Sequence, residues 1–553
     1  MVVPELRPWR AAKPHVTRVA NAVRPRLAGA KKAVRSRVPR TADTLRPRLA
    51  RAAKAAKPQV VRLARAAGPQ LARIPGPKTA KTWQYTATAA TAGLALAASV
   101  VTVAGPWDST GQRTAERDRA AAQEHTGGAD HDEASGVPGG APRPAPSAAS
   151  VLAALGRASN TVRSEPTGQG LSATLAPLLK DAALGDRQAG VVVDVTSGKR
   201  LYGVGADLAL TPASTTKIAT AVAALSALGA DHRLTTRAAL EPGGKNLVLV
   251  GGGDPTLTAR QDAEGWASLR TLAAETAAAL KKRDIRAVTL SYDTTLYTGP
   301  VLHPIGVNEN LAPVTALMAD EARTDDSTRG PVLRVTDPQK DASRTFAAFL
   351  EDHGIRTTAP APGRATARAQ SLATVSSPPL SALVERMLTN SDNDIAEALA
   401  RQTALATGER ADFDGADRAI TAQLKKLRLP LSGADFQDGS GLDRADRLTA
   451  DLLTSLLAKA GDPSRPDLRP VLTGLPVAGF SGTLSSRYAN GAAGLVRAKT
   501  GTLTGVNTLA GTVVDQDGRL LAFAFLASGT TDPAAAQAAL DRAATALAAC
   551  GCR

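Results

Sequence analysis

The chain of 553 residues is long enough for a large folded body with appendages, and 43% apolar residues supply a core that, at 3% aromatic, must be built from Ala, Leu and Val. Its formal charge of +17 suggests a nucleic-acid binder until it is located: residues 1–82 hold 21 Lys and Arg against 2 acidic residues, more than the whole excess, so the rest is slightly acidic and no nucleic-acid partner is expected. Two cysteines, Cys550 and Cys552, and six scattered histidines without an HExxH spacing leave no disulfide framework and no four-ligand zinc site, so no metal or cofactor is expected. A bridge between Cys550 and Cys552 would be short and strained, and an intermolecular one stays open.

Residues 1–81 mix Ala, Leu and Val with Arg and Lys and are punctuated by Pro25, Pro39, Pro47, Pro58, Pro69 and Pro75. Two readings stand: short basic amphipathic helices on an anionic membrane surface, or a solvated basic tail. Residues 82–107 carry no charge and are bracketed by Trp83, Tyr85 and Trp107, which predicts one transmembrane helix. The basic flank places residues 1–81 in the cytoplasm and everything after Trp107 outside, at the cell membrane. A cleaved signal peptide is the competing reading, disfavoured by the length of the preceding region. Residues 108–170, rich in Asp, Glu, Pro, Gly, Ser and Ala, read as a flexible extracellular linker.

Folded structure is expected from Leu171. A helix over LSATLAPLLKDAAL precedes two strands, Val191–Val195 and Arg200–Tyr202, and then ASTTKIATAVAALSALG reads as a long, almost wholly apolar and therefore buried helix. Residues 236–371 read as a small α/β insertion: the strand NLVLV, a glycine turn at Gly251–Gly253, a helix over Ala259–Lys281, the strands AVTLSYD and PVLRVT, and a helix over Asp341–His353. The GGGD turn lacks the GxGxxG spacing of a dinucleotide site. Residues 372–549 return to helices, with Ser391, Asp392 and Asn393 between two of them and a turn at Asp438–Arg447 before another, and end in three antiparallel strands and a helix over Pro533–Ala549.

Three short patterns lie on these elements: Ser214-x-x-Lys217 at the start of the buried helix, Ser391-Asp392-Asn393 between helices, and Lys499-Thr500-Gly501 on a strand. One helical turn separates Ser214 from Lys217, so the amine can reach the hydroxyl: a nucleophile beside a base. A buried ammonium without partners costs several kcal/mol or sheds its proton, which suits a working base. Ser-x-x-Lys alone is equally a helix cap with a solvated lysine, and Asp392 reads as a loop-shaping residue without a proton role. The ordered set of three is the specific signal, and the set is known from β-lactamases and penicillin-binding proteins. No GxSxG occurs and no Ser-His-Asp triad suggests itself.

On these motifs, with GGGDPTL at Gly251–Leu257, DGSGL at Asp438–Leu442 and GFSGTLSSR at Gly479–Arg487, the chain resembles the low-molecular-mass penicillin-binding proteins of class C type (peptidase family S13), serine D-alanyl-D-alanine carboxypeptidases and endopeptidases. The resemblance covers about residues 170–549. It implies an α/β (α+β) fold, a penicillin-binding-protein/β-lactamase-like domain over 171–235 and 372–549 in which helices flank an antiparallel sheet beside an all-helical subdomain, interrupted by the insertion at 236–371. It also implies that Ser214 attacks the penultimate D-alanine carbonyl of a peptidoglycan stem peptide, with Lys217 as base and Ser391 relaying a proton to the leaving amine. Asn393, Lys499, Thr500, Gly501 and Thr502 would bind substrate: Asn393 and Thr500 by hydrogen bonds, Lys499 by positive potential, Gly501 by leaving the strand edge clear, and Thr502 by an N–H that completes an oxyanion hole with that of Ser214. β-Lactam antibiotics are the implied inhibitors. A β-lactamase or esterase on the same fold, and a non-catalytic cell-wall-binding scaffold, are the alternative readings.

Overall fold

The computed structural model describes residues 165–488 and 491–552. The expected basic tail, transmembrane helix and most of the expected linker lie outside these residues. Among the described residues no helix is long and apolar enough to cross a membrane.

Two sheets organise the chain. The first is five-stranded and antiparallel, in the order β2-β1-β11-β10-β9: β1 is Arg187–Asp194, β2 Arg200–Val204, β9 Val496–Leu503, β10 Val506–Val514 and β11 Leu520–Ser528. Successive side chains of a strand point to opposite faces, so both faces of an apolar strand must be covered. Val192, Phe523 and Phe525 accordingly pack beneath α1 (Gly168–Leu179) and the C-terminal helix α10 (Pro533–Ala548). Val191, Val193, Ala522 and Ala524 face a helical layer on the other side. That layer holds α2 (Thr216–Leu228), α5 (Leu380–Asn390), α6 (Asn393–Thr407), α7 (Phe413–Lys426), α8 (Ala450–Gly461) and the short α9 (Pro470–Thr473). Helix α2 is its axis, buried on every side from Thr216 to Leu225, and small Ala residues let its neighbours approach closely.

The second sheet has six strands drawn from residues 235–376: β3 (Thr235–Leu240), β4 (Asn246–Val250), β5 (Ala287–Asp293), β6 (Arg356–Thr357), β7 (Ala361–Pro362) and β8 (Gln370–Ser376). Its pairings are mixed, antiparallel for β3 with β4 and β8, parallel for β5 with β4, β6 and β7. Helices α3 (Leu269–Lys281) and α4 (Pro338–Asp352) close its core.

Four local readings change. The helix expected over Ala259–Lys281 begins only at Leu269, because Glu264 and Gly265 are left-handed (φ 48° and 88°) and the Ser268 side chain caps the helix by accepting from Thr271 N at 3.2 Å. PVLRVT forms no strand; its one bridge joins Arg334 to Arg323, and the Arg334 guanidinium is drawn inward onto Asp394 at 2.7 Å. Ser214 does not open the α-helix but lies in the 3-10 turn Ala213–Thr215 just before it. Cys550 and Cys552 are paired with each other within the chain, and the Thr174 hydroxyl lies 3.5 Å from Cys552 Sγ.

Candidate active site

Ser214 is the half-buried residue in a buried turn, with Ala213 before it held at a left-handed φ of 48°. Such a conformation costs a non-glycine residue about 1–2 kcal/mol and persists only where its surroundings dictate it. Here Thr215 Oγ1 and Thr508 Oγ1, the latter from β10, both donate to the Pro212 carbonyl, at 2.7 and 2.8 Å. The turn is thereby fixed against the sheet, and Ser214 opens onto a cleft of about 310 Å³ that Ser391, Asn393, Thr500 and Thr502 also line.

Lys217 is fully buried and its Nζ has three neighbours: Ser214 Oγ at 3.1 Å, Asn393 Oδ1 at 2.6 Å and the Ser440 carbonyl at 2.6 Å. The two carbonyl oxygens can only accept. A neutral amine must therefore spend both N–H bonds on them, and its lone pair is left facing the Ser214 hydroxyl. Burial lowers the Lys217 pKa to about 8, against the opposing pull of Asp438, then Glu397, Asp392 and Asp446. The threonines of α2 grip the same loop as the lysine: Thr216 Oγ1 donates to Asp446 at 3.1 Å and Thr220 Oγ1 to the Gly439 carbonyl at 2.6 Å.

The Ser391 triplet is the joint between α5 and α6. Ser391 ends α5 in a left-handed conformation (φ 60°), and Asp392 caps α6 by accepting from Ile395 N at 3.0 Å, the shaping role expected of it. Asn393 is the first residue of α6, and its Nδ2 donates to the Asn310 carbonyl at 2.8 Å, which turns Oδ1 toward Lys217. Lys499, also fully buried, donates from Nζ to Ser391 Oγ at 2.9 Å and to the Thr500 carbonyl at 2.7 Å. Burial, and then repulsion from Lys217, push its pKa well below the usual lysine value. Lys499 thus reaches the site through its hydrogen bond to Ser391.

Gly501 is tightly packed on the same strand. A Cβ there would lie 2.7 Å from the Pro212 carbonyl oxygen and 3.1 Å from Ala213 Cβ, so glycine lets β9 lie against the nucleophile's turn. Thr502 is exposed on the same strand and lines the cleft. Thr483 was not singled out in the sequence; Thr500 Oγ1 donates to its hydroxyl at 3.0 Å, which puts two hydroxyls side by side at this end of the cleft.

Two clusters of potential metal ligands exist among the described residues, His303 with Glu397 and Asp438, and Glu321 with Asp392 and Asp394. Both are already neutralised by protein groups. Asp438 takes N–H bonds from Ser440, Gly441 and Asp443, and Glu397 accepts from Gly439 N and faces Arg401. Arg323, Arg386 and Arg334 meet the second set, within which burial and then Asp392 raise Glu321 to a pKa of about 8. No sequence pattern had pointed to His303, whose Nε2 lies 3.0 Å from Asp438 Oδ2.

Residues 171–331 and 322–549 match the model of the D-Ala-D-Ala carboxypeptidase 3 (S13) family. The chain belongs to this family. As an S13 protein it is a hydrolase of the serine D-alanyl-D-alanine carboxypeptidase type. It is 36% identical over 427 residues to a carboxypeptidase of Mycobacterium tuberculosis, covering 74% of this chain and 90% of that one. It is 37% identical over 401 residues to carboxypeptidase DacB of Mycolicibacterium smegmatis, covering 70% and 85%. Its fold is that of penicillin binding protein 4 from Haemophilus influenzae, with a TM-score of 0.56 and 22% identity over 68% of this chain and 97% of that chain. In this S13 enzyme Ser214, Ser391, Asn393 and Thr500 line one cleft, with the buried Lys217 and Lys499 hydrogen-bonded to Ser214 and Ser391 behind it, although they are spread over most of the folded sequence.

Proposed function

We propose that this S13 enzyme is anchored to the cell membrane by one helix over residues 82–107, with its catalytic domain outside, and hydrolyses peptidoglycan stem peptides ending in D-Ala-D-Ala through an acyl-enzyme on Ser214. The observation that carries the reading is the Lys217 amine held between two carbonyl oxygens with its third neighbour Ser214 Oγ. Ser214 Oγ attacks the penultimate D-alanine carbonyl while Lys217 Nζ takes its proton. The N–H groups of Ser214 and Thr502 stabilise the oxyanion, at about 3 kcal/mol per donor. Ser391, held by a hydrogen bond from Lys499, relays to the departing amine the proton that Lys217 took from Ser214, which returns Lys217 to its neutral form, and the terminal carboxylate meets the Thr500 and Thr483 hydroxyls. Water then releases the acyl group by the same base. The exposed end of β9 suits an extended peptide, and the same site would open a cross-link between stem peptides, an endopeptidase action. β-Lactams, which mimic the D-Ala-D-Ala bond, acylate Ser214 and leave slowly; a solved structure of the Haemophilus influenzae protein is complexed with a β-lactam.

The test is a fluorescent penicillin added to the outer domain, beside D-alanine release from a stem pentapeptide. Wild type takes one covalent label and releases D-alanine, whereas Ser214→Ala does neither. Label persisting in Ser214→Ala refutes the serine mechanism, and fast turnover of the penicillin favours a β-lactamase. Protease applied to intact cells removes the catalytic domain if the orientation holds.

A further inference from the structure

We infer that His303, a residue of the insertion, positions the base Lys217 by locking the Asp438–Gly441 loop whose Ser440 carbonyl fixes the direction of the amine; the inference rests on the Ser214–Lys217 mechanism above. The chain of contacts is short and buried. Ile305 N donates to His303 Nδ1 at 3.2 Å, so the neutral ring carries its hydrogen on Nε2 and points it at Asp438 Oδ2, 3.0 Å away. Asp438 then gathers the loop: Ser440 N donates to it at 3.0 Å, Asp443 N at 2.7 Å, and Gly441 N closes the set. Gly439 N is held separately by Glu397 at 3.1 Å. With its backbone N–H groups so fixed, the loop can aim the Ser440 carbonyl in one direction only, at Lys217 Nζ.

His303 is wedged edge-on against Phe413, with ring centroids 5.1 Å apart, and both partners of the histidine–aspartate pair are almost wholly shielded from water. In such surroundings a carboxylate that loses one donor turns toward another, and its loop follows. The same segment supplies the Asn310 carbonyl that orients Asn393. Both carbonyl acceptors of Lys217 are therefore set by residues 303–310, which lie outside all three sequence motifs. His303 touches neither substrate nor nucleophile, so its role is positional.

The experiment compares His303→Gln with His303→Asn in the full chain. The Gln amide reaches the place of Nε2 and keeps the hydrogen bond to Asp438; the shorter Asn amide reaches only the place of Nδ1. Acylation by a fluorescent penicillin is followed to saturation, with melting temperature and final label stoichiometry as controls for folding. His303→Asn is expected to lower the limiting acylation rate by about 100-fold at unchanged half-saturation, the scale of a misplacement near 1 Å, while His303→Gln stays within about fivefold of wild type. Equal rates for the two variants at equal stoichiometry overturn the inference, as does a loss confined to half-saturation. Should wild type itself take no label, it is the serine mechanism that fails.

Discussion

Replacing Gly441 by alanine tests the geometry around the nucleophile at its tightest point. Gly441 has a φ of 81°, and a Cβ added to it would lie 2.0 Å from the Ala213 carbonyl oxygen and 2.9 Å from Thr216 Oγ1. Two costs add: about 1–2 kcal/mol for a left-handed non-glycine residue, and about 1–3 kcal/mol for forcing two packed backbones apart. A domain of ordinary stability, about 5–15 kcal/mol, survives a loss of that size and stays folded. Catalysis does not escape, because the segments pushed apart carry Ser214 on one side and the Ser440 carbonyl on the other. A shift near 1 Å there lowers acylation by about 100-fold. Gly198 is the control: its φ is 71°, but a Cβ meets nothing within 4 Å, so Gly198→Ala carries the conformational cost alone. Urea unfolding gives the stability difference and the rate of penicillin labelling gives the catalytic one. Gly441→Ala labelling at the wild-type rate, or losing no more stability than Gly198→Ala, refutes the reasoning.

Two further outcomes follow from buried charges. Burial sets the Lys217 pKa at about 8, and only its neutral form accepts the Ser214 proton, so acylation rises about tenfold per pH unit below that value and levels above it; a flat profile through this range removes Lys217 as the base. Arg401 and Glu397 are both fully buried, 3.7 Å apart, with the guanidinium over the Phe413 ring. Arg401→Met leaves Glu397 unpaired and is expected to cost about 3–5 kcal/mol in urea unfolding, part of which the added Glu397→Gln change restores; a double variant no more stable than the single one contradicts that assignment.

The nucleophile and its base were legible because they sit three residues apart across the start of one helix, where helical spacing converts directly into distance. Ser391 and Lys499 were legible only through their order and contexts. His303 was not: it lies 135 residues from Asp438, and a single histidine in an irregular segment has no periodicity to betray its direction. The aspartate gave a partial signal, since DGSGL places backbone N–H groups where a carboxylate can collect them. The helix expected from Ala259 failed for a local reason, the left-handed pair at Glu264 and Gly265, and the strand expected at PVLRVT failed for a tertiary one, the pull of Asp394 on Arg334. Gly501 was recognised from its motif, while its close approach to Pro212 was not legible, because the crossing of β9 over that turn is a long-range fact.

Strand β9 lies at the border of its sheet, yet little of that border is free. Over its first half the chain folds back to pair with it, Ala478 N donating to the Val496 carbonyl and Ala498 N donating to the Pro476 carbonyl at 2.9 and 3.0 Å. Among the described residues, none pairs by backbone hydrogen bonds with the outer edge of the stretch from Lys499 to Leu503. Outward-facing main-chain groups come from every second residue, so this length offers registry to only about two or three residues of an incoming chain. A guest so short gains little from strand pairing as such, and its selection must fall on the chemistry of its end: the methyl groups and the carboxylate. The same brevity keeps two copies of the protein from zipping together along this border, so a site built to receive one peptide does not also invite self-association.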